Sequence, residues 1–255
     1  MIALGILLCL GGVGALGYLH LNQATASTIA KKEKNTKIQD SEQGKKQTQP
    51  PRVKTPEEKQ AVIDEDRETM ESLGLVYDYA NKNLVEVVQE YMAQSAIEPS
   101  QIAFTYKNTA TGEQFAMNDL QPMTAGSTYK LPLNMLIVDE VAAGKLNLTD
   151  RFDITNTYYE YIGEHDNYVA AFDGAMAIPD MQRYSLVYSE NTPAYALADR
   201  LGGMDEARKL FSRYGQSRSK EVKTFSDANK TTSDYYIHVL EYLWNHREKY
   251  ADLLE

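Results

Sequence analysis

Residues 125–138 read Ala125-Gly126-Ser127-Thr128-Tyr129-Lys130-Leu131-Pro132-Leu133-Asn134-Met135-Leu136-Ile137-Val138. From residue 130 to 143 the stretch is dense in Leu, Met, Ile and Val, and Gly144 stops it. A helix apolar on nearly every side is one that a core surrounds, and Pro132 falls early in it, where a missing N–H does least harm. At the head of this helix stands the pattern S-x-x-K, Ser127 and Lys130. Residues three apart share a helix face, which brings the amine within reach of the hydroxyl. Serine is a weak nucleophile until a base takes its proton, and a lysine becomes such a base when burial lowers its pKa. The apolar run behind Lys130 supplies that burial, and a helix N-terminus at Ser127 adds N–H donors where an acyl oxyanion forms.

The pattern alone is weak, with about one match expected by chance in a chain of this length. A second match, Ser217-Arg218-Ser219-Lys220, lies in a charged stretch with no apolar helix behind it and reads as a solvated loop. Context selects Ser127. Downstream, helices are expected at 180–188, 193–201, 204–214 and 232–247, with stops at Gly202-Gly203 and Gly215 and starts at Thr192-Pro193 and Thr232. Upstream, Ile102, Phe104 and Tyr106 alternate with smaller or polar residues as in a half-buried strand. A turn at 108–112 and a returning strand at 113–117 complete a hairpin. Leu84, Val87, Val88 and Tyr91 recur at the spacing of one buried helix face. Helix, hairpin and then a cluster of helices make an α+β chain rather than alternating βαβ units.

Ser189-Glu190-Asn191 lies between two of the expected helices. As S-x-N on a short loop it aims a hydroxyl that relays a proton and an amide that holds a substrate amide. As plain local structure it is a helix stop followed by an N-cap.

With these residues in place the chain resembles the class A β-lactamase-like, penicillin-recognising serine hydrolases. Residues 125–132 are similar to that family's nucleophile helix, residues 187–194 to its S-D-N element, and Leu201-Gly202-Gly203 to its L-G-G; the likeness runs over about residues 80–255. The resemblance implies a β-lactamase/transpeptidase-like fold, a helical subdomain plus an antiparallel sheet flanked by helices. It implies an acyl-enzyme on a β-lactam or a peptidoglycan-like peptide amide, without a cofactor. Ser127 is then the nucleophile, Lys130 its base or base partner, Ser189 the proton relay and Asn191 the substrate holder. Three departures qualify it. Glu190 stands where the family has Asp. No E-x-x-L-N element follows Asn191, and Glu221, in the corresponding region, has no matching surroundings. No K-T-G is present before Glu255, so the sequence reads as C-terminally truncated, its final strands missing. Lacking the deacylating glutamate, the acyl-enzyme is expected to turn over slowly. The alternative is a non-catalytic wall-associated binding module on the same fold.

Residues 1–30 carry no Asp, Glu, Lys or Arg, and residues 2–19 are an apolar run with five glycines, followed by Ala24-Thr25-Ala26. Residues 1–26 therefore read as a membrane anchor or a cleaved signal peptide, residues 27–66 as a flexible polar linker, and residues 67–255 as the hydrolase domain, held outside the cytoplasmic membrane or secreted. Residues 31–54 carry a net +5 in a chain of net −10, leaving −15 for the rest, so nothing points to nucleic acid. A single cysteine, Cys9, excludes a disulfide framework within the chain. His20, His165, His238 and His246 lack metal-ligand spacing and read as ordinary surface or core histidines. Residues 158–161, Tyr-Tyr-Glu-Tyr, read as half-buried surface, with a glycan-binding groove as the other reading.

Overall fold

A computed structural model describes residues 55–74 and 82–254. The segments expected as anchor or signal, and most of the expected linker, lie outside the described residues. Among the described residues no helix is long and apolar enough to cross a membrane.

The chain divides at Pro99/Ser100 into two compact units. The first holds α1 (Pro56–Ser72) and α2 (Leu84–Gln94). Residues 56–66, expected as spacer from their polarity, are thus helical. A reciprocal capping box explains it. The Thr55 hydroxyl accepts from Glu58 N at 3.2 Å, Glu58 Oε2 accepts from Thr55 N at 2.8 Å, and Pro56 occupies the first turn. Composition reports how little a segment buries, whereas capping decides whether it winds. In α2 the residues the periodicity selects, Leu84, Val87, Val88 and Tyr91, are half-buried, as are Val85 and Glu90, and Met92 is covered.

The second unit begins with the expected hairpin. Strands β1 (Phe104–Lys107) and β2 (Gln114–Met117) pair antiparallel with Phe104 opposite Met117 and Lys107 opposite Gln114. The Asn108 Oδ1 accepts from the backbone N–H of Ala110 and Thr111 and closes the turn. Next come β3 (Met123–Thr124), a 3₁₀ turn (Gly126–Tyr129) and α3 (Lys130–Ala142). Leu133, Met135, Leu136 and Ile137 of α3 are fully buried, as its all-round apolar pattern demands. Around α3 pack α5 (Ile178–Val187), α6 (Asn191–Asp199), α7 (Met204–Leu210) and the 3₁₀ turn Phe211–Tyr214. Helix α8 (Ser233–Asn245) lies against β1, with Thr105 Oγ1 and Ser233 Oγ 3.0 Å apart and Lys107 ion-paired to Glu241. Expected and observed helices agree within a few residues.

Five elements had no expectation, β3 among them. Strands β4 (Arg151–Asp153) and β5 (Ala175–Ala177) form a short ribbon that brackets α4 (Ile162–Ala171). Strand β6 (Lys230–Thr231) pairs with β3. The sheet structure among the described residues is therefore three two-stranded antiparallel pairs within an α+β architecture.

The stretch Ser217-Arg218-Ser219-Lys220 is the solvated loop its charge suggested only at Arg218 and Lys220, which are exposed. Ser217 and Ser219 are buried, Ser219 N donating to Ser217 Oγ at 3.0 Å, and the loop is gathered by the buried Asp234 carboxylate. It accepts from the Ser217 hydroxyl at 3.1 Å, from Arg218 N at 2.7 Å and from the Arg218 guanidinium at 3.0 and 2.7 Å, while Asp119 takes the guanidinium from the other side. This clamp ties the loop 217–232 to the first turn of α8.

Candidate active site

Four features aim Ser127. Strand β3 is held by β6 through the pairs Met123–Thr231 and Thr124–Lys230. The Asn229 carbonyl accepts from Ala125 N at 2.8 Å and the Asn229 side chain donates to Gly126 O at 3.0 Å. Gly126 then takes φ +56°, a conformation cheap for glycine. Finally, the Tyr236 hydroxyl donates to Thr128 O at 3.2 Å. The result is an exposed Ser127 at the mouth of a cleft of about 430 Å³, lined also by Gly126, Lys130, Ser185, Ser189 and Tyr236.

Lys130, 2% exposed, extends from the first turn of α3 toward the S-x-N loop. Its amine donates to Asn191 Oδ1 at 2.8 Å, to the Ser189 hydroxyl at 3.4 Å and to the Ser189 carbonyl. The Ser127 hydroxyl lines the same cleft but is not among these acceptors. Burial lowers the Lys130 pKa to about 8, against the opposing pull of Glu164, Glu190 and Glu160.

Residues Ser189 and Glu190 link α5 to α6, as their position between two expected helices required. Ser189 has φ +58°, a left-handed conformation that costs a non-glycine residue about 1 kcal/mol. Asn191 opens α6 and its amide is used at both ends, Oδ1 by Lys130 and Nδ2 by Glu160 at 3.1 Å. The residue at the N-cap position, Glu190, makes no side-chain cap bond. The cap comes instead from α4, where Glu164 Oε1 accepts from the backbone N–H of Asn191 at 2.9 Å and of Thr192. Glu160 also accepts from the Tyr195 hydroxyl at 2.8 Å. Glu190 is half-buried, and burial first, then the Glu164 charge and a hydrogen bond with it, raise its pKa to about 7.

The structure thus brings Ser127, Lys130 and Ser189 onto one cleft, with Asn191 one hydrogen bond away through Lys130. Glu160 and Glu164 escaped sequence reasoning because they precede the S-x-N loop by about 30 residues and belong to no motif. The neighbouring tyrosines are more exposed than expected, Tyr158 at 61% and Tyr161 at 56%. Tyr158 meets Tyr195 edge-on with centroids 4.8 Å apart. His165 is a satisfied core histidine, its Nε2 3.1 Å from Ile154 O. Among the described residues no group of three or more His, Cys, Asp or Glu is arranged to hold a metal ion.

Comparison with known proteins identifies the family and the fold. A sequence model of the β-lactamase enzyme family matches residues 83–255, and the chain belongs to that family. Among solved structures, a mutant of the class A β-lactamase of the last common ancestor of Gram-negative bacteria superposes with a TM-score of 0.51 at 21% identity, over 67% of this chain and 68% of that one. A further variant of that ancestor gives 0.50 at 21% identity, over 66% of each chain. A β-lactamase from Xanthomonas campestris gives 0.49 at 17% identity; the match covers 59% of this chain and spans about 60% of that protein's length. No curated protein matches the chain.

Proposed function

We propose that the chain is a serine acyl-transfer enzyme acting on the amide of a β-lactam or a peptidoglycan-like peptide. The observation that carries this reading is a nearly fully buried lysine, with a pKa of about 8, bonded to Ser189 and Asn191 on the cleft that Ser127 enters. In the reaction the neutral Lys130 amine takes the Ser127 proton as Oγ bonds to the carbonyl carbon. Collapse of the tetrahedral intermediate breaks the C–N bond, and the departing nitrogen takes a proton from the Ser189 hydroxyl, which Lys130 replenishes. Asn191 holds a substrate amide once the substrate displaces Glu160 from its Nδ2. The product is an ester on Ser127.

Deacylation is slow in this reading. Glu221 is exposed on the loop 217–232 and does not line the cleft, so it is no base for an attacking water. The test is labelling with a fluorescent penicillin, followed by mass spectrometry of the adduct over time. A lasting adduct that disappears in Ser127→Ala is expected. Labelling that survives this substitution would refute the assignment of Ser127, and rapid repeated turnover would refute slow deacylation. Failure of the unaltered protein to label would favour the alternative, a non-catalytic wall-associated module. The substrate class requires the domain to lie outside the cytoplasmic membrane, with residues 2–19 as its anchor or signal. Protease treatment of intact cells digests a C-terminally tagged domain if that placement is right and spares it if it is wrong.

A further inference from the structure

The backbone of the S-x-N loop has a partner outside the residues that the acyl-transfer reading uses. Helix α6 begins at Asn191, and the first N–H groups of any helix need acceptors. The residue at its N-cap offers none from its side chain. The acceptor is one carboxylate oxygen of Glu164, 27 residues earlier, which takes the N–H of both Asn191 and Thr192. A carboxylate at a helix N-terminus also meets the positive end of the helix dipole. Thr192 is 1% exposed, so water has little access to replace that acceptor.

We infer that Glu164 is a positioning residue of this site: by capping α6 from α4 it fixes Asn191 and the neighbouring Ser189 at the distance where both receive the Lys130 amine. The inference rests on the acyl-transfer reading for its functional half only. Asn191 Oδ1 is 2.8 Å from the amine and the Ser189 hydroxyl 3.4 Å. A loop slipping by an ångström breaks both bonds, because a hydrogen bond is lost beyond about 3.5 Å. Ser189 is held at φ +58°, a conformation that persists only where its surroundings enforce it. Glu190, within the loop, faces the same carboxylate, whose negative charge helps to raise its pKa, while Glu164 holds the backbone at the two consecutive residues Asn191 and Thr192. The charged and titratable groups that face this clamp are Lys130 and Tyr129 at the head of α3, Glu160 before α4, Tyr168 on α4 and Glu190 itself.

The test compares Glu164→Ala with Glu164→Gln in the full chain, since Gln keeps an acceptor oxygen and loses the charge. Hydrogen exchange at the Asn191 and Thr192 amides is read by NMR, and acylation of Ser127 by a fluorescent penicillin is read as a saturating rate constant and a half-saturation concentration. In Glu164→Ala, exchange at these two amides should rise about tenfold or more, while circular dichroism shows the fold retained. The saturating acylation rate should fall about 10- to 100-fold, the scale of a small misplacement of reacting groups, with little change in half-saturation. Glu164→Gln should recover most of both losses. Unchanged protection of the Asn191 and Thr192 amides in Glu164→Ala would overturn the inference, whatever the labelling shows. So would failure of Gln to recover protection that Ala loses. If the unaltered protein is not acylated but Ala still loses protection, the clamp stands and the acyl-transfer reading falls.

Discussion

Raising the pH from 7 to 9 should speed acylation of Ser127 about tenfold. Only the neutral amine of Lys130 accepts the Ser127 proton. Burial has brought that amine from 10.5 to about 8. With a midpoint at 8, about one molecule in ten carries the free amine at pH 7, half at pH 8 and about nine in ten at pH 9. An ordinary lysine would offer about one in 3,000 at pH 7. The sign is fixed by the charge: acid protonates the base and slows the reaction, and the rate levels off above the midpoint. Glu190 ionises in the same range, near 7. Its new negative charge favours the protonated amine, so the limb should be broader than a single-group curve. The assay is the saturating rate constant of adduct formation with a fluorescent penicillin between pH 6 and 10, with Lys130→Met as control. That control should lose the limb and about 10²- to 10⁴-fold in rate, the usual worth of a positioned proton acceptor. A rate that is flat across this range, or one still rising tenfold per pH unit at pH 9.5, would refute the role of Lys130 as base.

Three predictions concern stability. Asp234→Ala strips the acceptor from the Ser217 hydroxyl, Arg218 N and the Arg218 guanidinium. It should cost about 3 kcal/mol in urea unfolding, since these bonds run to a buried charge while the arginine is largely in water; a loss under 0.5 kcal/mol would show that the clamp contributes nothing. Gly215 has φ +124° and a Cβ there would lie 2.5 Å from His238 Cβ, so Gly215→Ala should destabilise by about 3 kcal/mol, whereas a melting temperature equal to that of the parent would mean the 215 turn yields freely. Burial raises Asp234 and Asp139, yet hydrogen bonds from Arg218 to the first and from Lys249, Tyr250 and Tyr214 to the second outweigh it and leave both below the ordinary 3.8. Carboxyls depressed in the folded state stabilise above their unfolded pKa and lose that contribution as pH falls through the folded value. Protonation of Glu190, raised to about 7, works the other way, so stability measured by chemical denaturation should not fall between neutrality and about pH 5 and should decline below about pH 4; a decline complete by pH 5 would contradict this.

What the sequence settled by itself is whatever neighbouring residues decide. Helix α3 was legible because its apolar side chains point every way around one short axis, and the β1–β2 hairpin because alternation and an Asn-to-Gly turn are local. That Ser127 and Lys130 lie close together was legible for the same reason, being one helical turn apart, and that Ser189 and Asn191 lie at the junction of two helices because stop and start signals flank them. The limits of that reasoning were local too. Polarity suggested a spacer at 56–66, but the Thr55–Glu58 capping box winds it into α1. Ribbons of two or three residues such as β3–β6 and β4–β5 are too short to carry a period. Tertiary structure alone decided which charges are paired. Ser217 and Ser219 looked solvated like Arg218 and Lys220 beside them, until Asp234, in the first turn of α8, was seen to gather their loop. Glu160 and Glu164 sit in an unremarkable acidic stretch, and only the packing of α4 beside α6 turns them into the partners of the Asn191 amide and backbone. A hydrogen bond between residues some 30 apart leaves no periodic trace in the chain, because its energy depends on a distance in space that only the packed helices set.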